Sequence, residues 1–243
     1  MKLVVTFDVK RIPLSYHFLF VSLIKGALSV NGKELAESMY NFEGKTNKKI
    51  KDFSFAIYLN NFTRLKDDFV INGDVKMIFS TSNYKLLLLL QNGLMTLRTF
   101  KYKKYGLTVK KIHLGQESLP QDNYALFQTL SPIAIKGRSN NFLRPDEDDY
   151  QEAFQYICNE IIKSVAGRDL YKTLQFTPIE MKKVVVKMKH DSFSMNREGI
   201  FYVEAYKGLL QLEGAREDLQ LLTQTGIGYR RSQGFGVIEH CGQ

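Results

Sequence analysis

The sequence predicts an α+β protein built from two tandem ferredoxin-like (βαββαβ) units, with a glycine-rich loop towards its C-terminal end. Three observations predict it. Period-two and helical hydrophobic patterns run strand, helix, strands, helix, strand, and after a polar stretch that order starts again. The chain has 243 residues, enough for two small cores, and its 44% hydrophobic and 24% charged side chains argue against a disordered tail or a membrane protein. Linker composition falls at 116–123 (QESLPQDN), dividing the chain into units of 1–115 and 124–243.

In the first unit, Leu3, Val5, Phe7 and Val9 share one face of a strand over 2–10. Pro13, then Ser15 as N-cap, start a helix running to about Ser29. The apolar run 12–30 resembles a signal peptide, even to Ala27-Leu28-Ser29, but Asp8 in the preceding strand and Lys25 within the run favour a buried helix. Asn31-Gly32 breaks it, and 33–40 forms a short second helix. Strand-like stretches at 53–59 and 69–80 lead to a helix over 84–97, and 98–114 alternates as a strand or a hairpin around Gly106.

In the second unit, 126–135 reads as a strand ending in Ser131-Pro132. Asp146 caps a helix whose stripe is Tyr150, Phe154, Ile157, Ile161 and Val165, and Gly167 ends it. Val184, Val186 and Met188 face one side of the next strand, with Lys183, Lys187 and Lys189 on the other. A strand over 200–212, a helix over 215–225 and a short strand over 235–239 complete the order. The doubling is architectural, without a residue-level repeat.

Lys and Arg total 34 against 25 Asp and Glu, a net charge of +9 that favours an anionic partner, nucleic acid ahead of an acidic membrane. Thirteen Tyr and 17 Phe supply faces for base stacking. Two cysteines, Cys158 and Cys241, make neither a metal quartet nor a disulfide scaffold, so the chain reads as cytoplasmic. Cys158, in a helical pattern, reads as a small buried hydrophobe. Asp146, Asp148 and Asp149 suit a helix start, and no His-x-x-x-His or Cys-x-x-Cys pair exists, so neither a metal nor another cofactor is expected.

Gly226, Gly228, Gly234 and Gly236 free the backbone to approach a ligand and to turn its N–H groups toward phosphate oxygens. Arg230 and Arg231 add charge-assisted contacts. No Gly-Lys-Ser/Thr follows, and the glycines come after a helix, so this is neither a Walker loop nor a dinucleotide fingerprint. Three basic stretches accompany it: Lys45, Lys48, Lys49 and Lys51; Arg98 to Lys111, interleaved with Phe100, Tyr102 and Tyr105; and Lys182, Lys183, Lys187 and Lys189. Each alone reads as a solvated face, and together with the loop they form a track for an RNA backbone.

Gly226, Gly228, Ser232, Gly234, Phe235 and Gly236 spell G-x-G-x-x-x-S-x-G-F-G, which resembles the signature loop of the CRISPR repeat-processing endoribonucleases of the RAMP superfamily. Leu130-Ser131-Pro132-Ile133-Ala134 resembles the strand opening their second domain. Ile12-Pro13-Leu14-Ser15-Tyr16, leading to Leu23-Ile24, resembles the start of their first helix. The resemblance covers almost the whole chain. It implies tandem RAMP domains that bind CRISPR repeat RNA and cut precursor transcripts into guide RNAs without a metal. A ribose 2′-OH attacks the adjacent phosphate, leaving a 2′,3′-cyclic phosphate. Other subunits of a CRISPR complex are implied partners, no membrane is, and monomer and homodimer both stay open. RNA contacts then fall on Lys48, Lys49, Lys51, Lys183, Lys187, Lys189, Gly226, Gly228, Arg230, Arg231, Ser232, Gly234 and Gly236.

Such a cleavage needs a base, an acid and cations around the phosphorane. Of four histidines, His17 lies in the first turn of the first helix, where the dipole lowers its pKa and favours a neutral base. Helical spacing also puts it on the face of Val21, Ile24 and Leu28, where a core histidine is an equal reading. Many relatives carry a catalytic histidine after that helix, while some lack it and lean on lysines; here Tyr40 stands in its place, and a phenol with a pKa of about 10 is a poor base. The expected catalytic set is His17 with Tyr16 or Tyr40, assisted by Lys45 or Lys48. Tyr40 also keeps open a non-catalytic repeat-RNA-binding subunit, and whether His17 faces cleft or core separates the two. Replacing Gly228 or Gly234 by Val is expected to weaken RNA binding with the fold intact.

Overall fold

The computed structural model describes residues 1–42, 45–46, 50–189 and 199–242. The first unit comprises β1 (Lys2–Asp8), β2 (Arg11–Pro13), α1 (His17–Asn31), α2 (Lys33–Tyr40), β3 (Asn41–Phe42), β4 (Lys45–Thr46), β5 (Phe53–Leu59), β6 (Phe62–Arg64), β7 (Asp68–Ile71), β8 (Val75–Thr81), α3 (Tyr84–Leu97), β9 (Thr99–Tyr102) and β10 (Tyr105–Leu114). The second comprises β11 (Tyr124–Thr129), α4 (Tyr150–Ala166), β12 (Gln175–Lys189), β13 (Ile200–Glu213), α5 (Arg216–Thr225) and β14 (Ile238–His240).

The main sheets are antiparallel, ordered β5-β8-β1-β10-β9 and β12-β13-β11-β14. In each, the last strand of the βαββαβ run (β10, and the short β14) lies beside the first, and the middle pair closes the other side. This is the tandem ferredoxin-like fold. Two small sheets, β2-β7-β6 and β3-β4, decorate the first unit.

Alternation along β1 buries Leu3, Val5 and Phe7 beneath α1 and α3, and α1 answers with Leu19, Phe20, Leu23, Ile24 and Ala27, so the signal-like run is a core helix. The two helices close tightly because Gly93 has no Cβ; one built there would lie 1.9 Å from the carbonyl oxygen of Ala27. A second cluster gathers Phe127, Phe154, Cys158, Ile161, Leu210 and Leu222. Burial pushes the Cys158 thiol up to about 12, consistent with an inert core residue. A third cluster crosses between the units, packing Phe18 of α1 with Ala134, Met188, Val203, Ala205 and Phe235. Polar ties cross as well: Ser80 donates to the Gln224 carbonyl at 2.8 Å, and Lys2 pairs with Glu239 at 2.8 Å. Among the described residues no helix is long and apolar enough to cross a bilayer.

Several local expectations need correction. Tyr16, not Ser15, precedes α1, and its backbone carbonyl rather than a side chain takes the first amides, from Leu19 and Phe20. The second-unit helix starts after Asp149; Asp146 instead pairs with Arg144 at 3.3 Å. The β9–β10 hairpin turns at Lys103 and Lys104, not Gly106, with Lys103 in the left-handed region. β11 ends at Thr129, because the Leu130 and Ser131 amides both go to the Val237 carbonyl. Phe235 to Val237 are likewise spent on loop contacts, and β14 begins only at Ile238.

Candidate functional site

The glycine-rich segment after α5 is a folded plug. Ile227, Phe235 and Val237 are fully buried, and Arg231–Gln233 makes one 3₁₀ turn. Its amides turn to protein acceptors: Gly226 to Leu222, Ile227 to Gly236, Tyr229 to Ala134 and Gly236 to Pro132, all carbonyls, and Val237 to the Ser131 hydroxyl. The segment presses on the first unit. Gly234 sits at φ +93, where a Cβ would lie 2.7 Å from His17 Nδ1 and 3.1 Å from the Phe55 ring; one on Gly226 would lie 2.5 Å from Ser54 Oγ.

His17 belongs to that contact. Its ring is stacked between Tyr16 (centroids 4.9 Å apart) and Phe235 (5.3 Å). Nδ1 is 2.7 Å from the Gln233 carbonyl oxygen, so Nδ1 carries the hydrogen and donates. Burial drags the imidazole pKa down to about 4, partly offset by that bond. His17 is a neutral core histidine. Tyr16, its stacking partner, also meets Phe20 and Phe69, and burial raises its phenol pKa.

Arg231 is 5% exposed. Its Nη1 donates to the Thr225 carbonyl at 2.6 Å and its Nη2 to the Lys51 carbonyl at 2.9 Å. Burial lowers its pKa to about 10, against the opposing pull of Asp52 and Cys158.

Above this floor lies a cleft of about 620 Å³ between the units, lined by α1, the Tyr40 and Lys51 region, α4 and the glycine segment. Lys25 and Lys51 both hold their ammonium groups over the Tyr40 ring, at 5.3 and 4.7 Å from its centroid. Burial first, and then the Lys25 charge, lowers the Lys51 pKa to about 8. Burial raises the Tyr40 phenol well above its ordinary value, and its buried hydroxyl has no partner among the described residues. Arg230 and Ser232 line the same cleft, with Glu160 as its carboxylate. Arg230 is held at φ +60 by Gln233, which accepts from Nη1 at 2.7 Å, and by the Phe201 ring beneath its guanidinium.

The structure therefore brings together Tyr40, Lys51, Gly228, Arg230, Arg231 and Ser232 of the expected residues along one cleft, with the Arg231 guanidinium bonded to two backbone carbonyls, and puts His17 and Tyr16 into packing. Lys183, Lys187 and Lys189 stand on the exposed side of β12, with Lys183 paired to Glu204 at 2.5 Å. Lys48, Lys49 and the Lys45 side chain lie outside the described residues. Sequence reasoning missed Lys25, taken only as an interruption of an apolar run, and the distinctive setting of Lys51. The available signal was Ser22 beside Lys25, polar residues that mark one side of an otherwise buried helix.

These features define a tandem ferredoxin-like protein with a cationic cleft between its halves. Solved structures share the fold. A RAMP protein described as binding different RNA substrates matches with a TM-score of 0.79 at 17% identity over all of both chains. The product of a Cas6-related gene from Pyrococcus furiosus matches at 0.76 and 17% over 99% of each. A CRISPR associated protein Cas6 matches at 0.75 and 16%, over 100% of this chain and 99% of that one. No curated protein matches. The family model for the C-terminal part of CRISPR associated protein Cas6 matches residues 115–240, more than half of the chain. The chain belongs to the Cas6 family of CRISPR-associated, repeat-processing RAMP proteins.

Proposed function

We propose that the protein is an endoribonuclease that binds CRISPR repeat RNA and cuts precursor transcripts into guide RNAs in the cleft between its units, without a metal. One observation carries the reading: two lysines converge on a buried tyrosine in a cleft that also presents Arg230 and Arg231. Cleavage by 2′-OH attack requires a proton to leave O2′ as the O2′–P bond forms. A proton must reach the 5′-oxygen as P–O5′ breaks. With a pKa of about 8, roughly a tenth of Lys51 is neutral at pH 7, enough to take the first proton. Lys25 is the neighbouring ammonium and supplies the second. Tyr40, kept protonated by burial, holds the two ammonium groups over its ring, and Arg230 adds fixed positive charge where the phosphorane gathers negative charge. Contacts to the RNA backbone are assigned to Lys48, Lys49, Lys183, Lys187 and Lys189 as well.

A second reading, a repeat-binding subunit that does not cut, is favoured by the place of His17 in the core. End-labelled repeat RNAs incubated in EDTA, beside a copy with 2′-deoxy at the scissile nucleotide, decide between them. The proposal expects one cut that the deoxy copy lacks, at a rate that rises with pH and levels near 8 as Lys51 loses its proton. Tight binding without a cut selects the second reading.

A further inference from the structure

We infer that Arg231 is a positioning residue: its buried guanidinium ties the glycine segment to the backbone of Lys51 and so sets where the Lys51 ammonium stands against Tyr40. The inference rests on the cleavage reading for its catalytic consequence. The sequence pattern assigns Arg231 to RNA phosphate, yet two of its donors already serve carbonyls, one on each unit: Thr225 at the end of α5, and Lys51, 180 residues away in the chain. A guanidinium suits this, since its fork is planar and always charged, so two acceptors on separate elements are fixed relative to one another.

The surrounding contacts make the plug a rigid mount. His17 holds the Gln233 carbonyl two residues on, Gly234 presses on His17 and Phe55, and Ser80 holds Gln224. The charged and titratable groups acting on this junction are Asp52 and Cys158 toward the guanidinium, and Lys25 and Tyr40 toward Lys51. The loop's G-x-G-x-x-x-S-x-G-F-G spacing then acts by letting two halves meet closely; Arg231 borders the cleft beside Arg230 and Ser232, but two of its guanidinium nitrogens are turned into the junction.

The test compares Arg231→Gln and the milder Arg231→Lys with the parent in four measurements: urea unfolding, filter-binding affinity for repeat RNA, single-turnover cleavage at saturating protein, and the titration of Lys51 itself. The last is read by pH-dependent acylation and peptide mass spectrometry. Expected in Arg231→Gln are a saturating rate lowered by about 10- to 100-fold, affinity changed less than about twofold, and a Lys51 titration moved toward that of an ordinary lysine. Arg231→Lys, whose ammonium keeps the charge but lacks the fork that spans two carbonyls, recovers part of both. Weakened affinity with an unchanged saturating rate, and a salt dependence reduced by about one phosphate contact, would restore Arg231 to the RNA and overturn the inference. An unmoved Lys51 titration overturns it too. Failure of both variants to fold does the same, by making Arg231 a condition of folding. A parent that binds but does not cut, with Lys51 still shifting in the variants, removes the cleavage reading alone.

Discussion

His17→Phe separates a core histidine from a catalytic one by stability as well as rate. Phenylalanine keeps a flat ring between Tyr16 and Phe235 and removes the donor to the Gln233 carbonyl. At neutral pH that leaves one buried acceptor unpaired, a cost of about 1–3 kcal/mol. Lowering the pH reverses part of this. The unfolded chain binds a proton at His17 near 6.5, whereas the folded protein resists until about 4. Between those values the unfolded state holds the extra proton, so parental stability falls as pH falls. The gap is worth ~3 kcal/mol in full and roughly 2–3 kcal/mol by pH 4.5. The variant has no such group, and its carboxylates titrate as the parent's do. Urea unfolding of both at pH 7.5 and 4.5 gives the double difference. The parent should lose roughly 2–3 kcal/mol more than His17→Phe over that range. Parallel losses would refute the argument, because they would mean that the folded imidazole accepts its proton normally and therefore reaches solvent.

Three further outcomes follow from particular contacts. Lys51→Gln should lower single-turnover cleavage by about 10²–10⁴-fold while weakening repeat affinity far less, read by gel and filter binding. Gly234→Val should destabilise the protein by more than ~2 kcal/mol in urea, since a side chain at φ +93 is strained and its Cβ meets His17 Nδ1; this replaces the expectation of an intact fold. Gly93→Ala should cost ~3 kcal/mol or more, lowering the thermal midpoint, because its methyl would overlap the Ala27 carbonyl unless α1 and α3 separate.

The fold was legible because burial is written in period. Leu3, Val5 and Phe7 alternate, Tyr150, Phe154, Ile157 and Ile161 recur at helical spacing, and both patterns survive in the structure. Helix ends were less legible: Ser15 and Asp146 are good capping types, but capping depends on backbone angles that composition does not report. The cleft was half legible. Tyr40 and Lys51 were singled out, yet nothing local says that Lys25, fifteen residues before Tyr40, shares its ring. The glycine segment misled for a related reason. Glycines permit close approach to phosphate and to protein alike, and only the contact with Ser54, His17 and Phe55, far off in sequence, shows what they approach.

The bond from Arg231 to the Lys51 carbonyl also imposes an order in time. During synthesis the first sheet can close once β10 has emerged, but the Lys51 backbone waits for a partner encoded 180 residues later. At ordinary elongation rates that interval is on the order of 10–40 s. A nascent chain can thus offer its basic surface to RNA well before its cleft is assembled, and on the cleavage reading it acquires the ability to cut only when the second half arrives to lock the first.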